Sequence, residues 1–140
     1  LADRAQHVED VVVPALKKGI WVVLDRYCDS TVVYQGYCRG VLPVDQIMKL
    51  NWSTALHQAT PHLTIVLDVD LTVATERLSS RGDNQTRIAQ SEGLSFEEEV
   101  KRGFLQIAEA NPKRVVVVDA NGPPEEVFKS IVSIVEYRLF

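Results

Sequence analysis

Arg26 stands directly behind an unbroken apolar run, Ile20 to Leu24, and a single acid, Asp25. A guanidinium is a planar fork of donors that pairs bidentately with a phosphate or a carboxylate. Arg26 can therefore take up an anionic ligand or pair with Asp25 beside it. Asp25 in turn can orient Arg26 or organise a divalent ion through water. The same arrangement recurs twice: Leu63 to Leu67 leads to Asp68 and Asp70, and Val115 to Val118 leads to Asp119 and Asn121. Arg77 and Arg81 are four apart and share one helical face, and Arg87 follows across a polar stretch. Such a set can hold an anion or form a solvated basic helix end. His7, His57 and His62 have no metal-like spacing, and Cys28 and Cys38 lack the further ligands that zinc requires. The two cysteines are expected as free thiols in a reducing compartment.

These groups have to be positioned by regular elements, and the chain of 140 residues offers a periodic pattern for them. Hydrophobic residues make up 46% and charged residues 24%, which excludes a disordered or low-complexity chain. No apolar run approaches the roughly 20 residues of a membrane span. Fifteen Lys and Arg against nineteen Asp and Glu leave a net charge of -4, which argues against general nucleic-acid or anionic-membrane binding. An anionic ligand must be met by a local cluster.

Ala5, Val8, Val12, Ala15 and Leu16 recur at helical spacing between Asp3 and Lys18, with Gly19 as a stop and Pro14 as a kink or restart. Ile20 to Leu24 reads as a parallel strand covered on both faces. Helices are predicted from Ser30 to Tyr37, capped by Asp29 or Ser30, and from Val44 to His57. A second strand is expected over Leu63 to Leu67, a helix over Leu71 to Ser80 and a mobile loop over Arg81 to Gly93. Ser95 and Glu98 form a capping box for a helix reaching about Ala110. A third strand spans Val115 to Val118, and Pro124 opens a last helix running from Glu125 to about Leu139. Buried strands alternating with helices give a parallel α/β sheet. In such sheets ligands bind beyond the carboxyl ends of the strands, where Asp25, Arg26, Asp68, Asp119 and Asn121 fall.

The ordered series Asp25-Arg26-Tyr27, Asp29-Ser30-Thr31 and Tyr34-Gln35-Gly36 resembles the substrate signature of the thymidylate kinases. Arg4-Ala5-Gln6-His7-Val8 resembles the helix that precedes it in bacterial members. An arginine-rich lid, a helix with Phe96 and Arg102, and a strand closing on Val118-Asp119-Ala120 continue the likeness along essentially the whole chain. The resemblance implies a P-loop NTPase-type α/β fold, a three-layer sandwich with a mostly parallel sheet flanked by helices. No Gly-x-x-x-x-Gly-Lys-Ser/Thr occurs. Residues 1–140 are therefore expected to be the C-terminal two thirds of a single nucleoside monophosphate kinase domain, with a lid at about 81–93, and to be inactive alone. The N-terminal strand and P-loop expected upstream would occupy roughly 60 to 70 residues, at about 30 per strand-helix-strand unit.

The implied reaction is phosphoryl transfer from ATP to dTMP, giving ADP and dTDP, with Mg2+, in a cytoplasmic homodimer that binds neither nucleic acid nor membrane. By the same resemblance, Arg26 holds the acceptor phosphate and Arg4 reads a thymine carbonyl. Thr31 and Gln35 face the ring edge, and Tyr34 packs under the deoxyribose. Arg77, Arg81 and Arg87 belong to the lid over the transferring phosphoryl group, with Arg77 and Arg81 also near ATP, while Asp119, Ala120 and Asn121 edge its adenine. Asp25 belongs to the acceptor site, with magnesium reached through water as one of its roles. Arg102 faces the acceptor site or solvent. The bland alternatives are a solvated Arg4, a helix-start Thr31 and a core Tyr34. Thr86-Arg87-Ile88-Ala89 stands where the family has Asp-Arg-x-Glu, so the lid lacks its usual internal carboxylates. The rival functions are a non-catalytic nucleotide-binding fragment and a kinase for another deoxynucleotide or nucleoside.

Overall fold

Val8 and Val12, four residues apart on one helix, and Ala55 and Ala59, four apart on another stretch, form a buried cluster on which Val13, Val22 and Tyr27 pack. In the computed structural model, which describes residues 1–81 and 93–140, this cluster belongs to the first of two compact units, Leu1–Pro61. Its elements are α1 (Ala2–His7), a π-helical turn (Val8–Val12), α2 (Val13–Lys17), α3 (Cys28–Thr31), a second π turn (Val32–Cys38), α4 (Val44–Asn51) and a third π turn (Trp52–Leu56). Pro14 lies at the start of α2, immediately after the first π turn. Proline has no N–H to donate and its ring crowds the carbonyl four residues back, so the wider turn ahead of it accommodates the expected interruption. Gly19 ends this helical run with φ +71. Gly36 has a different reason to lack a side chain: a Cβ there would lie 3.0 Å from Val44 Cγ2 and 3.2 Å from Ile47 Cδ1.

The second unit, His62–Phe140, holds β1 (Thr64–Asp68), α5 (Leu71–Arg81), α6 (Leu94–Ala110), β2 (Val115–Asp119) and α7 (Pro124–Leu139). β1 and β2 pair in parallel with Thr64 opposite Val115 and Asp68 opposite Asp119. The parallel reading of these two apolar runs holds, and both acids emerge at the same carboxyl edge. Ile107, Ala108, Val115, Val118 and Ala120 are buried in this unit. Pro124 occupies the first turn of α7, as expected. Among the described residues no helix is long and apolar enough to cross a membrane.

Three expectations are corrected. Ile20 to Leu24 is not a strand: no ladder joins it to any described strand, and Val23 is 92% exposed. An extended apolar run becomes a strand only when a neighbour takes its N–H and C=O groups, and among the described residues no strand does so for this run. Ser95 is not the cap of α6, which begins one residue earlier behind Gly93 at φ +81, with no side-chain cap. Asp29 and Ser30 likewise lie inside α3, which starts at Cys28 behind Tyr27. Helix starts shift in this way because propensity marks a region, whereas packing fixes the residue at which the turn begins.

Candidate functional site

The first cluster is built by α1, the turn into α3, and the end of α4. Arg4 sits one turn into α1, and its guanidinium reaches across to Thr31 Oγ1 at 2.6 Å, the Tyr27 carbonyl at 3.2 Å and Asn51 Oδ1 at 3.0 Å. The Tyr27 ring lies 5.4 Å from the guanidinium, and its hydroxyl donates to the Ala59 carbonyl at 3.2 Å. Arg4 is thus engaged rather than solvated. Thr31 closes α3 instead of starting it, and its hydroxyl accepts from Arg4. The Tyr27 phenol is pushed above its ordinary value, first by burial and then by Cys28, against the opposing Arg4 charge.

Arg26 has φ 69 and is the one non-glycine residue with positive φ among those described. That left-handed backbone turns the chain sharply out of the extended run and brings the guanidinium to 5.3 Å from the centre of the Tyr34 ring. Arg39 approaches the same ring at 6.0 Å. Tyr34 and Gln35 lie half-buried in the second π turn, and the Gln35 carbonyl accepts the Val41 N–H at 2.8 Å. Asp25 is exposed, and no ion pair joins it to Arg26 among the described residues. Of the two options for Arg26, the structure shows the side chain on an aromatic face with its charge still accessible.

The second cluster lies at the carboxyl edge of β1 and β2. The Arg77 guanidinium donates to three successive carbonyls, those of Ala120 at 2.8 Å and of Asn121 and Gly122 at 2.9 Å each. Asn121 ties the loop to the neighbouring strand end: its Oδ1 accepts from Asp70 N–H at 2.8 Å, and its Nδ2 donates to Asp119 Oδ1 at 2.8 Å. Ala120 N–H donates to the Asp68 carbonyl at 2.7 Å. Lys101 on α6 pairs with Asp68 at 2.8 Å and approaches Asp70 at 3.9 Å. Its ammonium is held above its usual range by the hydrogen bond to Asp68, with burial opposing and the fields of Asp68, Asp70 and Asp119 adding to the rise.

Arg77 meets Ala120 and Asn121 as a clamp on the loop they form. Arg81 ends α5, its side chain falling outside the described part, and Arg87 and the expected lid lie outside the described residues. Arg102 is exposed. No group of three or more His, Cys, Asp or Glu side chains gathers as a metal cage among the described residues. Magnesium keeps several waters and takes much of its shell from nucleotide phosphates, needing only one or two carboxylates, a demand that the exposed Asp25 fits. Neither Cys28 nor Cys38 is in a disulfide.

Sequence reasoning missed Asn51, Arg39 and Lys101. Asn51 carried a signal, because it lies four residues after the buried Ile47 and so shares the inward face of α4. Arg39 and Lys101 carried none, being ordinary surface charges until their partners are placed.

Against known proteins, the thymidylate kinase family model matches residues 1–131. A thymidylate kinase of Desulfovibrio desulfuricans is 40% identical over 144 residues, covering 99% of this chain and 65% of that protein. One of Syntrophotalea carbinolica is 44% identical over 131 residues, covering 90% of this chain and 59% of its own length. The chain thus spans less than two thirds of these relatives. The crystal structure of a thymidylate kinase from Ehrlichia chaffeensis superposes with a TM-score of 0.68 at 26% identity, over 94% of this chain and 58% of that one. The parallel strands and flanking helices are accordingly those of a P-loop NTPase-type α/β fold, and the chain belongs to the thymidylate kinase family.

Proposed function

We propose that the protein transfers the terminal phosphoryl group of ATP to dTMP. An oxygen of the acceptor phosphate forms the new P–O bond as the bond to the ADP oxygen breaks, giving dTDP and ADP. The observation that carries this reading is the adjacency of Arg26 and Tyr34, with guanidinium and ring centre 5.3 Å apart. A 5'-phosphate and its deoxyribose are joined by one ester oxygen, so the groups that bind them must be neighbours, and these two are. Arg26 neutralises the acceptor phosphate, Tyr34 packs against the sugar, and Arg4, Thr31 and Gln35 read the pyrimidine edge.

In His62–Phe140, Asp119, Ala120 and Asn121 edge the adenine of ATP, and Arg77 holds their loop in shape. Arg81 and Arg87 supply further charge to the transferring phosphoryl group. Phosphoryl transfer needs such positioning and neutralisation rather than covalent catalysis. Magnesium would offset charge on the ATP phosphates, and Asp25 is the residue that would hold it, through water. The reading makes the protein a cytoplasmic homodimer. The test is dTMP-dependent ADP release by the gene-encoded full-length protein. Arg26→Ala should lower kcat/KM more than about tenfold, at least 1.4 kcal/mol of transition-state stabilisation, and a smaller fall, or no dTMP-dependent release, overturns the reading.

A further inference from the structure

Asn51 is fully buried at the end of α4, on the face that also carries Ile47. An apolar side chain would fill such a place at no polar cost, whereas a buried amide is costly unless both its ends are bonded. Both are: Oδ1 accepts from Arg4 Nη1 at 3.0 Å, and Nδ2 donates to the Cys28 carbonyl at 3.3 Å. One amide therefore ties α1 to the first turn of α3 from within the core.

Its effect on Arg4 is geometric. The guanidinium has five N–H donors. Three are engaged, one Nη1 hydrogen by Asn51 and two Nη2 hydrogens by the Tyr27 carbonyl and Thr31 Oγ1. Oxygens from two separate elements fix the guanidinium plane, and the other Nη1 hydrogen and the Nε hydrogen are left, among the described residues, for a ligand. Because Thr31 Oγ1 accepts from Arg4, the hydroxyl's own hydrogen is directed elsewhere and is available to donate. Without Asn51 the Nη1 side of the fork loses its anchor, and a long, rotamer-rich side chain must be ordered by the ligand instead, which weakens binding.

We propose that Asn51 is a positioning residue for pyrimidine recognition: it acts through Arg4, holding the guanidinium in the plane that meets a base carbonyl. This rests on the assignment of Arg4 as the base reader, and the test separates the two. In the full-length protein, affinity for dTMP is compared with affinity for deoxyribose 5-phosphate, which lacks the base, together with KM for ATP.

Arg4→Ala should reduce the preference for dTMP about tenfold or more. Asn51→Leu should reduce it by a similar factor with KM for ATP unchanged, and the Arg4→Ala, Asn51→Leu double variant should be no worse than Arg4→Ala alone. Asn51→Asp keeps an acceptor for Arg4 but sets a second carboxylate oxygen against the Cys28 carbonyl and adds a buried charge, so its melting temperature should fall while the preference stays within about threefold, the Arg4 anchor being retained. If Asn51→Leu does not fold, Asn51→Ala, which also removes the anchor of Arg4, carries the test with the same loss expected, and a preference left intact in it overturns the inference. An unchanged preference in Arg4→Ala overturns the base-reader assignment and this inference with it. A lowered preference in Arg4→Ala overturns this inference alone if Asn51→Leu leaves the preference intact, if the two losses add, or if preference falls with stability in Asn51→Asp.

Discussion

Replacing Arg26 with glycine should leave the protein more stable than replacing it with alanine, although alanine preserves more of the side chain. Arg26 holds φ 69, and a left-handed backbone costs an L-residue about 1–2 kcal/mol that glycine does not incur. Both substitutions remove the guanidinium from the Tyr34 ring, a contact worth roughly 0.5–1 kcal/mol at an exposed site, so that loss cancels in the comparison. Glycine gives back about 0.4–1 kcal/mol through the greater freedom of its unfolded chain. The balance spans about 0–1.6 kcal/mol and centres on roughly 0.8 kcal/mol in favour of glycine.

Urea unfolding followed by tryptophan fluorescence reads this directly, because Trp21 and Trp52 both lie in Leu1–Pro61. With a slope near 2 kcal/mol/M the two midpoints should differ by about 0.4 M. Coincident midpoints, or a more stable alanine variant, would refute the claim that the native backbone carries strain at Arg26. Both variants should lose dTMP affinity alike, since neither retains a cation. Affinity kept by the glycine variant would show that the acceptor phosphate is held elsewhere.

Arg77→Ala removes three bonds to the 120–122 carbonyls and should cost roughly 1 kcal/mol at this exposed position. In the full-length protein it should raise KM for ATP several-fold with KM for dTMP unchanged, and amide exchange at 120–122 should quicken; equal changes in both KM values would contradict a loop-clamping role. Tyr27→Phe deletes the bond to the Ala59 carbonyl and should cost about 1 kcal/mol at neutral pH. Because the folded Tyr27 pKa lies above its unfolded value of 10.0, its contribution is fully present below pH 10 and is lost as pH rises through the raised value. Urea midpoints between pH 8 and 11 should therefore converge for wild type and Tyr27→Phe at the alkaline end, and a constant gap would count against this.

The sequence by itself determined where the helices lie, though not the residues at which α3 and α6 begin, and it marked the apolar runs of β1 and β2 with the acids at their carboxyl ends. It also carried the Arg4, Arg26, Thr31 and Tyr34 series that marks the family. These features are local, since burial on one or both faces imprints a period on neighbouring residues and a signature is a spacing along the chain. Tertiary structure alone decided what those residues touch. Arg4 and Asn51 are 47 positions apart, and Arg77 and Gly122 are 45 apart; no periodicity encodes a bond across such a distance. Ile20 to Leu24 shows the converse: its composition is that of a strand, but a strand is a relation between two backbones, and no ladder joins this run to a described strand. Arg26 lies between the two cases, legible as a cation behind an apolar run, while its left-handed backbone and its place on the Tyr34 ring arise only when the chain turns from that run into α3.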